Sequence, residues 1–226
     1  MDATRDAPVR SVLLMGKGDL AIRAGEWLSA SSRHRLAAVV PVVPEPGWCP
    51  SLQQWAERTG VPVVTTGDCA DAWAVVGGQT IDLAVSIFYD KIMRPDFIGR
   101  CGRVVNLHNG PLPRYRGVAP INWALKNEET EHGVTLHEVT PGVDDGPIIG
   151  QVKFSIYPDR DEVIDVYRRC LAFGWTLFEE LFPVLEHLVA VPQDHSRALH
   201  HTHRQDHLLG ERRSFRRTDE PPVERR

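Results

Sequence analysis

The chain has 226 residues, 42% apolar and 25% charged, a composition that excludes disordered, collagenous and coiled-coil classes and is long enough to bury a core unaided. With 26 basic against 30 acidic side chains the net charge is −4, which argues against a nucleic-acid partner for the chain as a whole. The four cysteines lie far apart with no Cys-x-x-Cys pair, which excludes a zinc ribbon or thioredoxin-type motif and reads as reduced thiols filling small apolar spaces.

In chain order, Val12 to Met15 is a short apolar run closed by Gly16-Lys17-Gly18, too brief for a secretory leader and suited to a first buried strand. No stretch approaches 18 apolar residues, so a membrane span is not expected and the localisation read is cytoplasmic. Asp19 can cap a following helix whose face carries Ile22, Trp27 and Leu28. Leu36 to Val43 reads as a second strand, Leu52 to Ala56 as a second helix and Val61 to Val64 as a third strand, with Pro62 favouring an edge. Asp68 to Val76 follows as a third helix, and Ile81 to Ile87 and Val104 to His108 as the fourth and fifth strands. Such alternation is the signature of a doubly wound α/β fold with a mostly parallel central sheet, whose ligands sit beyond the carboxyl ends of the strands. From Gly133 the pattern changes. Gly133 to Val139 and Ile148 to Ile156 are strand-like runs able to pair, and Asp161 to Leu188 reads as a helix that Pro183 kinks or ends.

The catalytic domain is assigned to residues 1–194. Residues 195–226 hold eight Arg and five acids, a net charge of +3 against −7 for the rest, with five of the ten histidines and few apolar residues. They read as a basic His/Arg-rich tail outside the core, of a composition compatible with disorder. His203 and His207 have the spacing of a helix-borne metal pair, but no further ligand pattern follows and no metal is expected. Gly16-x-Gly18-x-x-Ala21 formally matches a dinucleotide fingerprint, yet the second strand lacks the acid that would hold a ribose, so a tight strand-to-helix turn is the reading.

The most informative stretch is Asn106-Leu107-His108-Asn109-Gly110-Pro111-Leu112-Pro113-Arg114-Tyr115-Arg116-Gly117. A strand presents alternate residues on one face, so it delivers the Asn106 amide and the His108 imidazole together. Gly142-Val143-Asp144-Asp145-Gly146 adds carboxylates on a turn. An imidazole carries protons near neutral pH, an amide N–H stabilises an oxyanion and a carboxylate orients an imidazole, a set suited to acyl transfer. With no Ser or Cys nucleophile in these motifs, direct attack by a substrate is favoured over an acyl-enzyme. A structural histidine is the alternative at this stage.

These segments resemble the folate-dependent formyltransferase family, which includes glycinamide ribonucleotide transformylase, methionyl-tRNA formyltransferase and nucleotide-sugar N-formyltransferases. The resemblance rests on Asn106-x-His108, Leu112-Pro113-Arg114-Tyr115-Arg116-Gly117, Gly133-Val134-Thr135-Leu136-His137 and Asp144-Asp145-Gly146, in that order, with Phe88 to Ile92 similar to a folate-side loop. It implies a Rossmann-like formyltransferase domain and 10-formyltetrahydrofolate as co-substrate. Asn106, His108 and Asp144 take the catalytic positions. The folate falls to Tyr89, Asp90, Lys91 and Ile92 with Val139, Thr140, Gly142 and Val143, and the acceptor to Pro111, Tyr115 and Arg116. Trp123 is a further candidate for the acceptor pocket, and His137 is read as sheet structure near the site rather than as part of the chemistry. The loop is most similar to that of small-molecule or nucleotide-sugar enzymes, so the expected partner is a small-molecule amine: an amino sugar nucleotide, an amino acid derivative or a specialised metabolite. A homodimer is left open. The alternatives are a 10-formyltetrahydrofolate hydrolase, a methionyl-tRNA formyltransferase lacking the usual C-terminal domain, and a non-catalytic folate-binding protein.

Overall fold

A computed structural model describes residues 8–211. The opening apolar run forms β1 (Arg10–Gly16), buried from Ser11 onward because it lies near the middle of the sheet. It pairs in parallel with β2 (His34–Pro41) on one side and β3 (Ile81–Ile87) on the other, and β3 pairs in parallel with β4 (Cys101–His108). Val12 and Leu14 enter one core cluster while Leu13 and Met15 enter the other. Both faces are covered, which is why the strand is continuously apolar rather than alternating.

The first face carries α1 (Gly18–Ala30), α2 (Leu52–Thr59) and α6 (Val163–Leu181), whose Ala24, Leu28, Trp55, Cys170 and Phe178 join the larger cluster. The second face is covered by α3 (Ala72–Val75) and α4 (Pro95–Arg100), through Ala72 and Phe97. Lys17, not Asp19, occupies the N-cap of α1, and its side chain makes no capping bond; Asp19 sits in the first turn, where an acid favours the helix dipole. The run at Val61 to Val64 forms no ladder. Only Val63 bridges, to Val39 at the sheet edge, because Pro62 has no N–H to extend the pairing.

Beyond β4 the sheet changes direction. β6 (Glu131–Glu138) runs antiparallel to β4, and β7 (Ile148–Ser155) antiparallel to β6, giving the order β2-β1-β3-β4-β6-β7. The intervening chain holds β5 (Arg116–Gly117) and α5 (Pro120–Lys126). α6 starts at a capping box between Glu162 and Asp165 and passes at Leu181 into a 3-10 segment, Phe182–His187, which contains Pro183. Among the described residues no helix is long and apolar enough to cross a membrane.

Residues 195–211 depart from the expectation of an unpacked tail. β8 (His200–His201) pairs in parallel with β5, and a 3-10 turn at His203–Leu209 follows. His201 stacks on Trp123 at 4.2 Å between ring centroids and lies parallel to Tyr115 at 5.8 Å. Aromatic faces supply here the packing that aliphatic side chains do not. The Arg pairs at 212–213 and 216–217 lie outside the described residues.

Candidate active site

Strand register brings the polar cluster together. β3 and β4 set Ser86 beside Asn106, and β4 and β6 set Asn106 opposite His137 and His108 opposite Thr135. Ser86 Oγ donates to Asn106 Oδ1 at 2.7 Å, so the amide nitrogen is the end turned toward His137 and Asp144. Asn106 Nδ2 lies 3.1 Å from His137 Nε2 and 3.3 Å from Asp144 Oδ1. His137 Nδ1 donates to the Glu138 carbonyl at 2.8 Å, which turns Nε2 toward the Asn106 amide and Asp144. His108 Nε2 donates to the Tyr115 carbonyl at 2.8 Å, which turns Nδ1 toward Asp144 Oδ2 at 3.5 Å.

Asp144 arrives from the loop after β6, with a left-handed φ of +48°. Its carboxylate also accepts from the Gly117 N–H at 2.9 Å and lies 3.4 Å from His137 Nε2. Burial by itself disfavours the charge, but His108, His137 and the Gly117 N–H together hold the carboxyl well below the usual carboxylate range. Thr135 anchors the loop after β4, accepting from Leu112 N and donating to the Gly110 carbonyl. Gln151 donates to the Leu112 carbonyl and to Thr135 Oγ1, both at 2.8 Å.

The cluster opens onto a cleft of about 1270 Å³. One part of its wall is the loop Phe88 to Met93, and another the segment Val139 to Asp144. Further along lie Lys17, Trp48 and Tyr167, then α5 and residues His200 to His203. Lys17 Nζ reaches Asp90 at 3.9 Å, and Trp48 meets Tyr167 edge-on at 5.3 Å. Among the described residues no group of three or more His, Cys, Asp or Glu gathers as a metal site; His203 pairs instead with Asp206 at 3.0 Å.

The family model described as Formyl transferase matches residues 70–180, the stretch that contains Asn106, His108 and Asp144. Over that stretch, just under half of the chain, the sequence is similar to formyl transferases. Solved structures share the fold. An N-formyltransferase from Helicobacter canadensis, in complex with folinic acid and dTDP-3-aminofucose, is 23% identical with a TM-score of 0.73, over 87% of this chain and 71% of that one. The formyltransferase PseJ from Anoxybacillus kamchatkensis, in complex with UDP-4,6-dideoxy-4-formamido-L-AltNAc and tetrahydrofolate, is 20% identical with a TM-score of 0.62, over 88% of each chain. Glycinamide ribonucleotide transformylase 1 from Symbiobacterium toebii is 22% identical with a TM-score of 0.64, over 81% of this chain and 94% of that one.

The structure brings Asn106, His108 and Asp144 into one cluster, and Tyr89, Asp90, Lys91, Ile92, Val139, Thr140, Gly142 and Val143 onto the cleft wall. Pro111, Tyr115 and Arg116 are different. All three are buried and none lines the cleft, which corrects the expectation that they contact the acceptor. Tyr115 is 1% exposed, and its hydroxyl donates to Glu129 at 2.6 Å and accepts from Asn127 at 3.0 Å. Arg116 turns inward to Gln193. Trp123 is likewise core, covered by His201. His137 is sheet structure near the site, in β6, and its Nε2 lies 3.1 Å from Asn106 Nδ2. Ser86, Gly117 and Gln193 also escape sequence reasoning, because their roles follow from strand register and a distant loop contact. Only His137, in its Gly-Val-Thr-x-His strand, carried a signal.

Proposed function

We propose that this chain transfers a formyl group from 10-formyltetrahydrofolate to the amine of a small molecule, with the amino group of a nucleotide sugar as the leading candidate. The carrying observation is that one partly buried carboxylate, Asp144, faces both the Asn106 amide and the His108 imidazole in the wall of a cleft. The solved relatives named with folinic acid or tetrahydrofolate and with nucleotide-linked amino or formamido sugars support both the donor and the acceptor class.

In this reading the pterin lies between the wall at 89–92 and the wall at 139–143. The neutral amine attacks the formyl carbon, and its carbonyl oxygen becomes an oxyanion. Asn106 Nδ2 and protonated His108 stabilise that oxyanion, in a site that is already oriented and partly dry. Asp144 orients the imidazole and passes the proton lost by the amine, through water, toward N10 of the folate. The bond from the formyl carbon to N10 then breaks, leaving a formamide and tetrahydrofolate. No covalent enzyme intermediate is required.

Incubation with 10-formyltetrahydrofolate, with and without a panel of amines that includes nucleotide amino sugars, tests the proposal. Tetrahydrofolate release that depends on an amine, with a product heavier by one formyl group, is the expected result. Release of formate without any amine would replace transfer by hydrolysis. Failure of the folate to bind in a titration would remove the reading altogether.

A further inference from the structure

We infer that Gln193 is a positioning residue that latches the Asp144 loop from the C-terminal segment. The loop around Asp144 is mostly open to solvent at Pro141, Gly142 and Val143, and Asp144 itself holds a left-handed backbone. Such a loop needs a tether if its carboxylate is to stay aimed at His108. Gln193 supplies one. It is 7% exposed, and its Nε2 donates to the Asp144 carbonyl at 2.9 Å and to the Gly146 carbonyl at 2.6 Å.

The orientation of that amide is fixed from its other end. Arg116 Nε and one terminal guanidinium nitrogen donate to Gln193 Oε1 at 3.1 and 2.6 Å. Arg116 has no acceptor atoms, so it admits only the oxygen of the amide and forces the nitrogen toward the loop. The next residue, Gly117, gives its N–H to the Asp144 carboxylate. One buried pair thus holds the Asp144 residue twice, by its backbone through Gln193 and by its side chain through the strand that carries Arg116. His195, 3.3 Å from the same guanidinium, closes the outer side of the pair. Neither Arg116 nor Gln193 lines the cleft, so they act on chemistry only through Asp144.

The inference rests on the proposed reaction, and two readouts keep them apart. Amide hydrogen exchange at Gly117 and over residues 140–146 of the full chain reads the latch without turnover. Formyl transfer to the accepted amine reads its consequence. In Gln193→Leu, exchange in these segments quickens and kcat falls about 10- to 100-fold, the scale of a displaced catalytic group. Gln193→Glu keeps a partner for Arg116, so the fold is retained. It has no donor for the two carbonyls at neutral pH, and the same loss of kcat is expected. Placed on Asp144→Asn, Gln193→Leu adds less than about threefold, because coupled residues are not additive. Equal fold-losses in both backgrounds, wild-type kcat in Gln193→Glu, or unchanged exchange would each overturn the latch. Absence of transfer by the unaltered chain with every amine counts against the reaction alone, and exchange then decides the latch.

Discussion

Asn106 has its oxygen tied to Ser86 and its nitrogen turned to Asp144 and His137, so truncation removes the oriented donor and also leaves the buried Ser86 hydroxyl without its acceptor. Asn106→Ala is expected to lower kcat about 10²- to 10³-fold in the formyl-transfer assay, the range for losing an oxyanion donor. Asp144 makes a prediction about pH. Its carboxyl is depressed below the ordinary value of 3.8, so its charge is in place above that value and is lost only as pH falls below it. Protonation of Asp144 therefore does not limit kcat above that value, and Asp144→Asn is expected to lower kcat across the neutral range in the formyl-transfer assay. His132 makes the opposite use of burial. Its Nε2 donates to the Asn109 carbonyl at 2.9 Å, its Nδ1 has no partner, and burial pushes the ring down to about 4 from 6.5. Above 6.5 the folded and unfolded rings are both neutral. As pH falls toward 4 the unfolded chain takes the proton first, and stability is lost on the order of 2–3 kcal/mol. In His132→Gln, urea midpoints should vary less over that window than in the unaltered chain.

At the scale of elements, the two-residue period of β4 placed Asn106 and His108 on one face from sequence alone, and the apolar run Val12 to Met15 marked the first strand as buried. The later pair of strands was readable as a pair, but not its insertion beside β4, because spacing along the chain carries no register across it. That register is what brings His137 to Asn106. The glycine pair before α1 was readable as a turn. Its reason is tertiary: a Cβ on Gly16 would lie 2.0 Å from the Ile87 carbonyl oxygen, where β1 and β3 run side by side. α6 depends on aromatic packing. Phe178 is fully buried and stacks on Phe182 at 4.5 Å, with Trp27 edge-on at 5.6 Å. Phe178→Ala should cost about 3–5 kcal/mol in denaturant unfolding, through the cavity it leaves.

The whole molecule is closed by its C-terminal segment. β8 roofs β5, His201 covers Trp123, and His200 to His203 form part of the cleft wall away from the segments at 89–92 and 139–143. A chain ending at residue 194 keeps Gln193 but loses this cover. It should melt at a lower temperature and transfer formyl groups more slowly, while a folate titration stays within about threefold, since the proposed folate walls are untouched. Loss of folate binding in that chain, with its fold intact, would place the folate against the C-terminal segment instead. The basic charge of residues 195–226 gave no hint of this, because a strand of two residues and stacked histidines leave no hydrophobic period to read.

The sequence by itself determined the layered α/β plan, the strand that presents Asn106 and His108, and the turn that presents Asp144. Each is encoded locally, in the period of apolar residues or in Gly and Pro at turns. Tertiary structure alone decided which polar groups meet. Tyr115 and Arg116 share a loop with the site residues, yet they turn into the core, where Glu129, Asn127 and Gln193 wait with matching hydrogen-bond partners. His137 and Gln193 lie 31 and 87 residues from Asn106, yet one meets its amide and the other holds the loop of its neighbour Asp144. A buried polar side chain goes where its bonds can be satisfied, and those partners are fixed by strand register and chain closure rather than by neighbours in sequence.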